Sequence, residues 1–519
     1  MAIPKLNQEM RQLLRDGILS VSTANLFFIG TWSAVQRSFT IPAYFKNQPN
    51  AASLAVMLNV TVLAILLWLG IAFMRRHATR WIHWGAGLIF AVVAMEILNS
   101  VRVWTRWPPL GISHLVRNPL FWLLLGAIAW WHKLCLRAAR ALVMIFSPLI
   151  LFTFGQTLLH LDSGREPPRA SAVPFPSVAE AASQPRLVWL VFDEMDQRIV
   201  FAERPPSLHL PEFDRLREQG TYFENSFPPA TSTELSLPAL ITGRWVVGAK
   251  EIRRDCLMLT LHDSPQPISF SGLPSVFSQA RDLGLTTGAV GWYHPYSRLF
   301  PFVNRSFWNA TPFYDPLGDA GISEVMVSPY CAAFLPGELR YRRAATRVYE
   351  TTLGWSRELV ADERIRLVFC HLPVPHLPGI FDRSSSRIGK PAKGKGEEYL
   401  GNLVLADKTL GELRQSMESA ALWESTTVIL TSDHWLRDTN AYDGKIDHHV
   451  PLLIKMAGQT QPVSYSKPMN TLLLASFTLA VLKREVKTPP ELVRWMDANR
   501  TSKEFPVDAY QARRQSKRP

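Results

Sequence analysis

Cysteine is scarce in this chain, and the few that occur form no recognisable framework. The 519 residues include four cysteines, at positions 135, 256, 331 and 370. No two of them form a CxxC pair or a zinc-finger spacing, and the last three could form at most one disulfide among themselves. We therefore expect a fold whose stability does not depend on disulfides.

A nucleic-acid-binding stripe is also lacking, although the chain is basic overall. The formal net charge is +13, from 56 Lys and Arg against 43 Asp and Glu. Much of the excess flanks apolar segments or lies in the C-terminal tail, and it forms no stripe interleaved with aromatic residues. Membrane topology and anionic lipid head groups explain such a distribution, so nucleic acid is not expected as a partner.

Long apolar runs are concentrated in the first third of the chain. A membrane-spanning helix needs roughly 20 mostly apolar residues. Five segments approach this requirement: 17–35, 52–74, 81–101, 119–136 and 141–161. Residues 1–161 are therefore predicted to form a transmembrane domain of five helices. If one segment were instead a buried helix of a soluble fold, four spans would remain and the rest of the chain would face the cytoplasm.

Basic residues between these segments favour a cytoplasmic N-terminus, because such residues are retained on the cytoplasmic side. The nine on the N-terminal side are Lys5, Arg11, Arg15, Arg75, Arg76, Arg80, Lys133, Arg137 and Arg140, and the five on the other side are Arg37, Lys46, Arg102, Arg106 and Arg117. Five crossings then place everything after residue 161 outside the cytoplasm.

Residues 162–519 have the composition of a soluble protein with a linker and a tail. We expect a Pro-, Ser- and Ala-rich linker at 162–185, a folded domain at 186–490 and a polar, basic tail at 491–519. In the domain, predicted strands alternate with predicted helices, which is typical of an α/β layered sheet. The strands are 187–192, 286–291, 366–370 and 426–431, and the helices are 211–219, 233–241, 273–283 and 397–420.

Polar side chains follow three of these strands at the point where each strand ends. Asp193 and Glu194 follow the first, His371 follows the strand at 366–370, and Asp433 and His434 follow the strand at 426–431. Sites in open α/β sheets form at the carboxyl edge of the strands. The alternative is that these are ordinary polar turn residues, but acids and histidines after three strands favour a site.

A hydroxyl residue stands at the start of a predicted helix. Thr233 begins the helix 233–241, after the turn-like Pro228-Pro229-Ala230. A helix N-terminus offers free N–H groups and a positive dipole end to an anion. The simpler alternative is that Ser232 or Thr233 only caps the helix. Together with Asp and His side chains, a hydroxyl forms a ligand set suited to Zn, Mn or Mg.

Three motifs, in this order, resemble those of the alkaline-phosphatase superfamily. They are VFDEMD at 191–196, TSTELSLPALITGR at 231–244 and TSDHW at 431–435, and the stretch 399–435 is similar to the segment before the Asp-His motif in sulfatase-type members. The resemblance covers about residues 186–456. It implies a C-terminal α/β domain with the alkaline-phosphatase-like, sulfatase-like fold.

Within the superfamily, the chain looks more like membrane phosphotransferases than sulfatases. Sulfatases use a Cys or Ser matured to formylglycine, and this chain has Thr233 at that position without the Pro and Arg of the maturation motif. The pattern Thr233-x-x-Ser236-x-Pro238 is similar to the phosphoethanolamine transferases that modify lipid A. Those enzymes and the lipoteichoic acid synthases share five N-terminal spans and an exported catalytic domain. Unlike the lipid A transferases, this chain has few cysteines, which leaves a different head group or acceptor open.

The resemblance implies a metal site and assigns roles to individual residues. Asp193, Thr233, Asp433 and His434 are the expected ligands, with Thr233 also the nucleophile. Zn is the first expectation, with Mn or Mg as alternatives, bound at one site or two. The transferases usually have Glu at the first position. Glu194 is therefore a possible ligand here.

Histidines complete the expected site. His376 and His449, in DHHVPLLIK at 447–455, are similar to the family residues that hold the phosphoryl group, the leaving group or a second metal. Their neighbours His371 and His448 are possible substitutes. His294, in GWYHPY at 291–296, is a further candidate for lining the pocket.

The function implied is transfer of a phospholipid head group, such as phosphoethanolamine or phosphoglycerol, through a phospho-threonine intermediate. The donor would be a membrane phospholipid, and the acceptor an anionic glycan or lipid of the envelope. The resemblance implies a multi-pass protein of a bacterial-type inner membrane with a periplasmic catalytic domain. A phosphodiesterase using the same site and a non-catalytic assembly partner are the alternatives. The sequence does not determine an oligomeric state.

Overall fold

The structure is a computed structural model that describes residues 8–32, 43–45, 51–76, 132–159, 172–310, 326, 337–389 and 394–500. The chain divides into two compact units. The first comprises residues 1–41, 48–164 and 320–336, and the second comprises residues 42–47, 165–319 and 337–519.

The first unit contains helices with an apolar core of its own. They are α1 (Gln8–Phe27), α2 (Ala51–Arg76), α3 (His132–Ile145) and α4 (Leu149–Leu159). Ala24 and Phe28 pack against Val56 and Val60 in this core. Within the described ranges, one helix is long and apolar enough to cross a membrane, the stretch Ser53–Arg76 of α2.

The predicted spans agree with the observed helices to different extents. The second, 52–74, coincides with α2. The first, 17–35, begins later than α1, whose N-terminal half carries the buried Asp16 in an ion pair with Arg75 (2.5 Å). The third and the first part of the fourth lie outside the described residues. The five-helix bundle therefore stays a prediction.

The connection predicted between the fourth and fifth spans is wrong. Helix α3 continues through Arg137 and Arg140, both exposed, which the charge count had placed in a loop. The helical path is interrupted near Ser147 and Pro148 instead, because proline has no N–H to donate and its ring clashes with the preceding turn. The following helix α4 is apolar but only 11 residues long.

The second unit is built on a mixed eight-stranded sheet. Its strand order is β14-β2-β13-β12-β1-β9-β7-β8, and β13 runs antiparallel to β12 and β2. Strands of the second unit are β1 (Arg186–Asp193), β2 (Thr221–Phe223), β3 (Ser226–Phe227), β4 (Val246–Arg253), β5 (Cys256–Leu261), β6 (Ser264–Ser269), β7 (Thr287–Trp292), β8 (Arg305–Asn309), β9 (Leu367–Pro375), β10 (Phe381–Asp382), β11 (Arg387–Ile388), β12 (Thr426–Ser432), β13 (Leu452–Lys455), β14 (Val463–Tyr465) and β15 (Met469–Asn470). The α/β sheet expected from the alternating pattern is confirmed.

Helices surround this sheet. They are α5 (Val178–Ser183), α6 (Pro211–Glu218), α7 (Thr233–Thr242), α8 (Val276–Asp282), α9 (Tyr296–Leu299), α10 (Gly337–Ala361), α11 (Lys395–Ser419), α12 (Leu474–Leu482) and α13 (Pro489–Asn499), with a π-helical turn at Arg198–Ala202 and short 3-10 turns. The four that were predicted, at 211–219, 233–241, 273–283 and 397–420, agree with α6, α7, α8 and α11 within a few residues. Two predicted boundaries change. Helix α5 lies inside the expected linker, and α13 crosses the expected start of the tail and buries Leu492 and Met496.

The central strand β1 is buried along its whole length, which explains its continuous apolar run. Its side chains alternate between the two faces of the sheet. Val188 and Leu190 belong to one apolar cluster with residues of α10 and α11. On the other face, Trp189 contacts Phe369 of β9, which in turn contacts Phe277 of α8. Both faces are therefore covered, and the strand ends remain to form a site.

Helix α11 approaches strand β10 so closely that only glycine fits at one position. A Cβ atom on Gly401 would lie 2.3 Å from the carbonyl oxygen of Phe381. Gly354 in α10 is a matched contrast, because a Cβ there would have no heavy atom within 4 Å.

We predict that Gly401→Ala lowers the free energy of unfolding, by about 1–3 kcal/mol as is usual for overpacking. The same change at Gly354 should be neutral or stabilising by up to about 1 kcal/mol, since alanine favours helix over glycine. Thermal unfolding of the two purified variants measures the difference. Equal melting temperatures would contradict the close packing of α11 on β10.

Candidate functional site

Two neighbouring parallel strands bring two aspartates to the same edge of the sheet. Strand β1 ends at Asp193, and Asp433 follows β12, in which Ser432 pairs with Phe192. The Ser432 hydroxyl donates to the Phe192 carbonyl oxygen at 2.7 Å, and the backbone N–H of Glu194 donates to Oδ1 of Asp433 at 3.1 Å. These bonds fix the two strand ends side by side.

His434 joins the two aspartates through its ring. Its Nδ1 lies 2.9 Å from the carbonyl oxygen of Trp435. Since a carbonyl only accepts, Nδ1 carries the proton and Nε2 presents a lone pair. Nε2 lies 3.6 Å from Oδ1 of Asp193 and 3.5 Å from Oδ2 of Asp433. Ligand atoms of these three residues lie within 4.8 Å of one another, a spacing that could hold a metal ion.

Thr233 places its hydroxyl against this cluster. It is the first residue of α7, and its Oγ1 lies 3.2 Å from Nε2 of His434 and 3.4 Å from Oδ2 of Asp193. Ser232 occupies the N-cap position, but its side chain makes no capping hydrogen bond. The capping interpretation therefore does not describe this helix, whose positive dipole end faces the site.

The chemistry of the cluster fits a divalent cation. Oδ1 of Asp193 and Oδ2 of Asp433 are buried and have no hydrogen-bond partner among the described residues. Burial, followed by the charge of Asp433, raises the pKa of Asp193 well above its usual range. Burial, followed by the charge of Arg437, lowers the pKa of His434 to about 3. A neutral imidazole and two oxygens without partners form a ligand set that a divalent cation satisfies.

Glu194 is held apart from this cluster. Its Oε1 accepts from the backbone N–H of Arg437 at 3.1 Å and from Nε at 3.3 Å, and its Oε2 lies 3.5 Å from Nε2 of His376. Burial alone would raise the pKa of Glu194, but electrostatic interactions with the neighbouring His376 and Arg437 lower it. Glu194 has a positive φ of 63°, which turns its side chain away from the strand direction. It is thus an ion-paired anion beside the cluster.

Arg437 was not identified from the sequence. It lies three residues after His434, in a loop with no motif of its own. Its side chain is 40% exposed, so the guanidinium reaches the surface of the site while its Nε binds Glu194. Only the folded chain shows that this arginine is next to the acids.

His371 and His376 both reach the site, from two ends of the same segment. His371 lies inside β9 and is buried, with Nε2 3.6 Å from Oδ2 of Asp193 and Nδ1 3.1 Å from the carbonyl oxygen of Trp292. Burial lowers the pKa of His371 to about 4. The sequence ranked His376 first, whereas the structure places His371 beside Asp193 and His376 beside Glu194.

The loop that carries His376 is held by a buried amide on α11. The Nδ2 of Asn402 lies 2.9 Å from the carbonyl oxygen of His376, 3.1 Å from that of Pro378 and 3.3 Å from that of Pro375. Its Oδ1 accepts from the backbone N–H of Ile380 at 2.9 Å. Asn402, which the sequence did not single out, thereby fixes the path of this loop.

His448 and His449 lie in other surroundings. Nδ1 of His449 is 2.5 Å from Oδ1 of Asp447, and its ring centroid is 4.4 Å from that of Phe227. The ring of His448 packs against Trp435, also at 4.4 Å. Among the described residues, no recorded hydrogen bond or ion pair joins either histidine to the clustered aspartates. Their predicted roles stay predictions.

His294 is buried next to the site and has a partner from a distant part of the chain. Its Nδ1 lies 2.6 Å from the hydroxyl of Tyr44. Burial, followed by the ring of His371, lowers the pKa of His294 to about 3, and the backbone of Thr233 is close enough to act on it. Tyr44 was missed because it lies between two predicted spans, 250 residues away in sequence.

The fold and the site are those of an α/β domain of the alkaline-phosphatase superfamily with a candidate metal site. Residues 185–483, more than half of the chain, match the sulfatase family. The chain therefore belongs to the sulfatase family, and the predicted superfamily is confirmed. Metal dependence is a property of this superfamily. The finer resemblance to membrane transferases is not decided by this match.

Solved structures with a similar fold include enzymes of this superfamily. Ps i-CgsB, in complex with k-i-k-neocarrahexaose, is 15% identical over 62% of this chain and 75% of its own, with a TM-score of 0.43. The phosphonate monoester hydrolase of Agrobacterium radiobacter is 15% identical over 58% and 74%, with a TM-score of 0.41. An alkaline-phosphatase superfamily protein from Vibrio parahaemolyticus is 15% identical over 58% and 66%, with a TM-score of 0.38. No curated protein matches the sequence significantly.

We predict that Asp433→Asn lowers the content of bound metal and that Glu194→Gln leaves it unchanged. Asp433→Asn removes a carboxylate of the cluster and should lose most of the bound divalent metal, whereas Glu194→Gln should retain it.

Metal affinity should also weaken as the pH falls, because Asp193, whose pKa is raised, must lose its proton to bind. Metal analysis of protein purified and then dialysed against Zn²⁺ at several pH values measures both effects.

The two variants serve as controls for each other, since each removes one buried negative charge. If Glu194→Gln lost its metal and Asp433→Asn kept it, the metal would be bound by the Glu194 carboxylate and not by the cluster. Full retention by both would place the metal elsewhere.

Proposed function

We propose that this protein is a membrane-bound, metal-dependent phosphotransferase. In this proposal it moves a phospholipid head group to an anionic glycan or lipid of the cell envelope, with Thr233 as the nucleophile. The observation that carries the proposal is the position of the Thr233 hydroxyl, at a helix N-terminus and 3.2 Å from His434. The alternative with the same site is a phosphodiesterase, in which water replaces the acceptor.

The identity of the nucleophile argues against sulfate ester hydrolysis. Formylglycine is made from Cys or Ser, and the residue in contact with the cluster is Thr233. A threonine hydroxyl can instead attack phosphorus directly and form a covalent phosphoester. Such a covalent step divides a difficult transfer into two easier ones.

In the proposed mechanism the transfer takes two successive displacements. Oγ1 of Thr233 gives up its proton and attacks phosphorus, and the bond from phosphorus to the diacylglycerol oxygen breaks as that oxygen takes up a proton. An acceptor hydroxyl then gives up its proton and attacks phosphorus, and the bond to Thr233 breaks as Oγ1 regains a proton. In this proposal His376, beside Glu194, binds the phosphoryl group or gives the leaving oxygen its proton. His371, whose Nδ1–H is bound to the Trp292 carbonyl oxygen, presents only the lone pair of Nε2 beside Asp193.

A divalent cation held by Asp193, Asp433, His434 and Thr233 would lower the pKa of the attacking hydroxyl and offset charge on the phosphoryl oxygens. Zn²⁺ is our first choice, since carboxylate and imidazole ligands suit it. The guanidinium of Arg437 adds a fixed positive charge beside the same site, and charge stabilisation is what phosphoryl transfer chiefly requires.

A lipid donor agrees with the membrane character of the first unit. The helix Ser53–Arg76 is long and apolar enough to span a bilayer. Basic residues around the N-terminal apolar segments favour a cytoplasmic N-terminus. We extend the proposal to several spans in a bacterial inner membrane, with the catalytic domain on the periplasmic side.

A covalent adduct on Thr233 tests this function. The full-length protein is incubated with Zn²⁺ and vesicles of phosphatidylethanolamine or phosphatidylglycerol, and its intact mass is measured. Wild type should gain a mass that identifies the head group, localised to Thr233 by peptide mapping. Thr233→Ala should gain none.

Thr233→Ser is the matched control, because it keeps the hydroxyl and should still form the adduct. An adduct on wild type that remains in Thr233→Ala would disprove this nucleophile. Release of head group into water without an added acceptor would favour the phosphodiesterase.

A further inference from the structure

A short segment near the N-terminus contributes a buried tyrosine to the catalytic unit. Residues Ala43–Phe45 form a 3-10 turn, and they belong to the same compact unit as the sheet and the metal-binding cluster. Tyr44 is fully buried and Phe45 nearly so. Phe45 packs edge-on against Tyr293, with ring centroids 5.4 Å apart. The turn is thus anchored by two aromatic side chains.

The hydroxyl of Tyr44 has a single recorded hydrogen bond. It lies 2.6 Å from Nδ1 of His294, and the structure gives it no second partner among the residues that it describes. A buried O–H that only accepted would leave its own proton unpaired, which is unfavourable. Burial keeps the hydroxyl protonated by raising the pKa of Tyr44 well above its usual range. Tyr44 is therefore the donor and Nδ1 the acceptor.

This direction determines which nitrogen of His294 carries the proton. A neutral imidazole has one N–H, and with Nδ1 accepting it lies on Nε2. Nε2 is buried and forms no hydrogen bond of normal geometry with the described residues. Burial and His371 lower the pKa of the ring, but the backbone of Thr233 is nevertheless close enough to raise it, as a nearby acceptor does. A buried N–H beside the nucleophile that is not committed to a normal hydrogen bond is suited to an oxygen of a bound anion.

We propose that Tyr44 is a positioning residue of the active site, which holds His294 as the Nε2–H tautomer so that it can donate to a substrate oxygen. The proposal rests on the proposed function only for the identity of that anion, a phosphoryl group. Tyr44 lies well outside the segment that matches the sulfatase family, residues 185–483. The site would then require a part of the chain that the family domain does not include.

Tyr44→Phe tests this in the full-length protein, because it removes the hydroxyl and keeps the buried ring. Tyr465→Phe is the matched control. It also removes one hydroxyl, which donates to Oδ1 of Asp497 at 2.9 Å at an edge of the sheet. With an aryl phosphodiester as substrate, we expect Tyr44→Phe to lower kcat roughly 10- to 100-fold, as loss of a supporting hydrogen bond does, with KM changed less than about twofold. Tyr465→Phe should match wild type.

A double-mutant cycle separates positioning from a general loss of structure. In the background of His294→Gln, the further change Tyr44→Phe should have little effect, because the residue through which it acts is gone. A penalty of the same size in both backgrounds would overturn the proposal, as would a kcat equal to that of wild type.

Nitrogen NMR of histidine-labelled protein gives a readout that needs no turnover, with His294→Gln used for assignment. Wild type should show His294 as the Nε2–H tautomer, and Tyr44→Phe should shift it toward a mixture. An unchanged tautomer would overturn the proposal. Wild type without turnover on any phosphodiester would contradict the proposed function, and the NMR result would still decide the role of Tyr44.

Discussion

Two buried carboxylates of like charge constrain this domain more than any other feature. Asp193 and Asp433 are both fully buried and share the Nε2 of His434 as a neighbour, and each has an oxygen with no hydrogen-bond partner in the part of the chain that the structure describes. Two such anions cannot both stay ionised in a dry site without positive charge nearby. Burial lowers the pKa of His371 and of His434, so these two histidines stay neutral and do not supply it. A divalent cation satisfies the charges and the coordination together.

The rest of the site follows from that constraint. Glu194 would add a third negative charge, and Arg437 offsets it through a backbone and a side-chain hydrogen bond. Asp193, Asp433 and Glu194 against Arg437 leave a net charge of about −2, which one divalent ion balances. The scaffold maintains this arrangement through bonds between strand ends, such as that from Ser432 to Phe192, and through the Asn402 amide that holds the His376 loop.

Much of the sheet and of the cluster could be predicted from the sequence because the relevant patterns are local. The apolar run at 187–192 and the acids after it lie within a few residues, and the family motifs fix the order of Asp193, Thr233 and Asp433. Pairings between distant segments could not be predicted. Arg437 and Asn402 have no motif of their own, and the contact of Tyr44 with His294 joins residues 250 positions apart.

The N-terminal unit was harder to predict for a different physical reason. Hydropathy detects long apolar runs, and it located the helix Ser53–Arg76. It does not locate breaks inside such runs, which depend on single residues, as the interruption near Pro148 shows. Charged residues that pair inside a helical unit, such as Asp16 with Arg75, also lower the mean hydropathy of the helices that carry them. Arg137 and Arg140 were assigned to a connection because helix α3 continues past the end of the apolar run.

The most direct measurement is the position of the metal, from anomalous diffraction of crystals of the protein loaded with Zn²⁺. The account predicts one ion, about 2.0–2.2 Å from carboxylate oxygens of Asp193 and Asp433, from Nε2 of His434 and from the Thr233 hydroxyl. An ion held instead by Glu194 and His376, or crystals without a metal at this edge of the sheet, would contradict it.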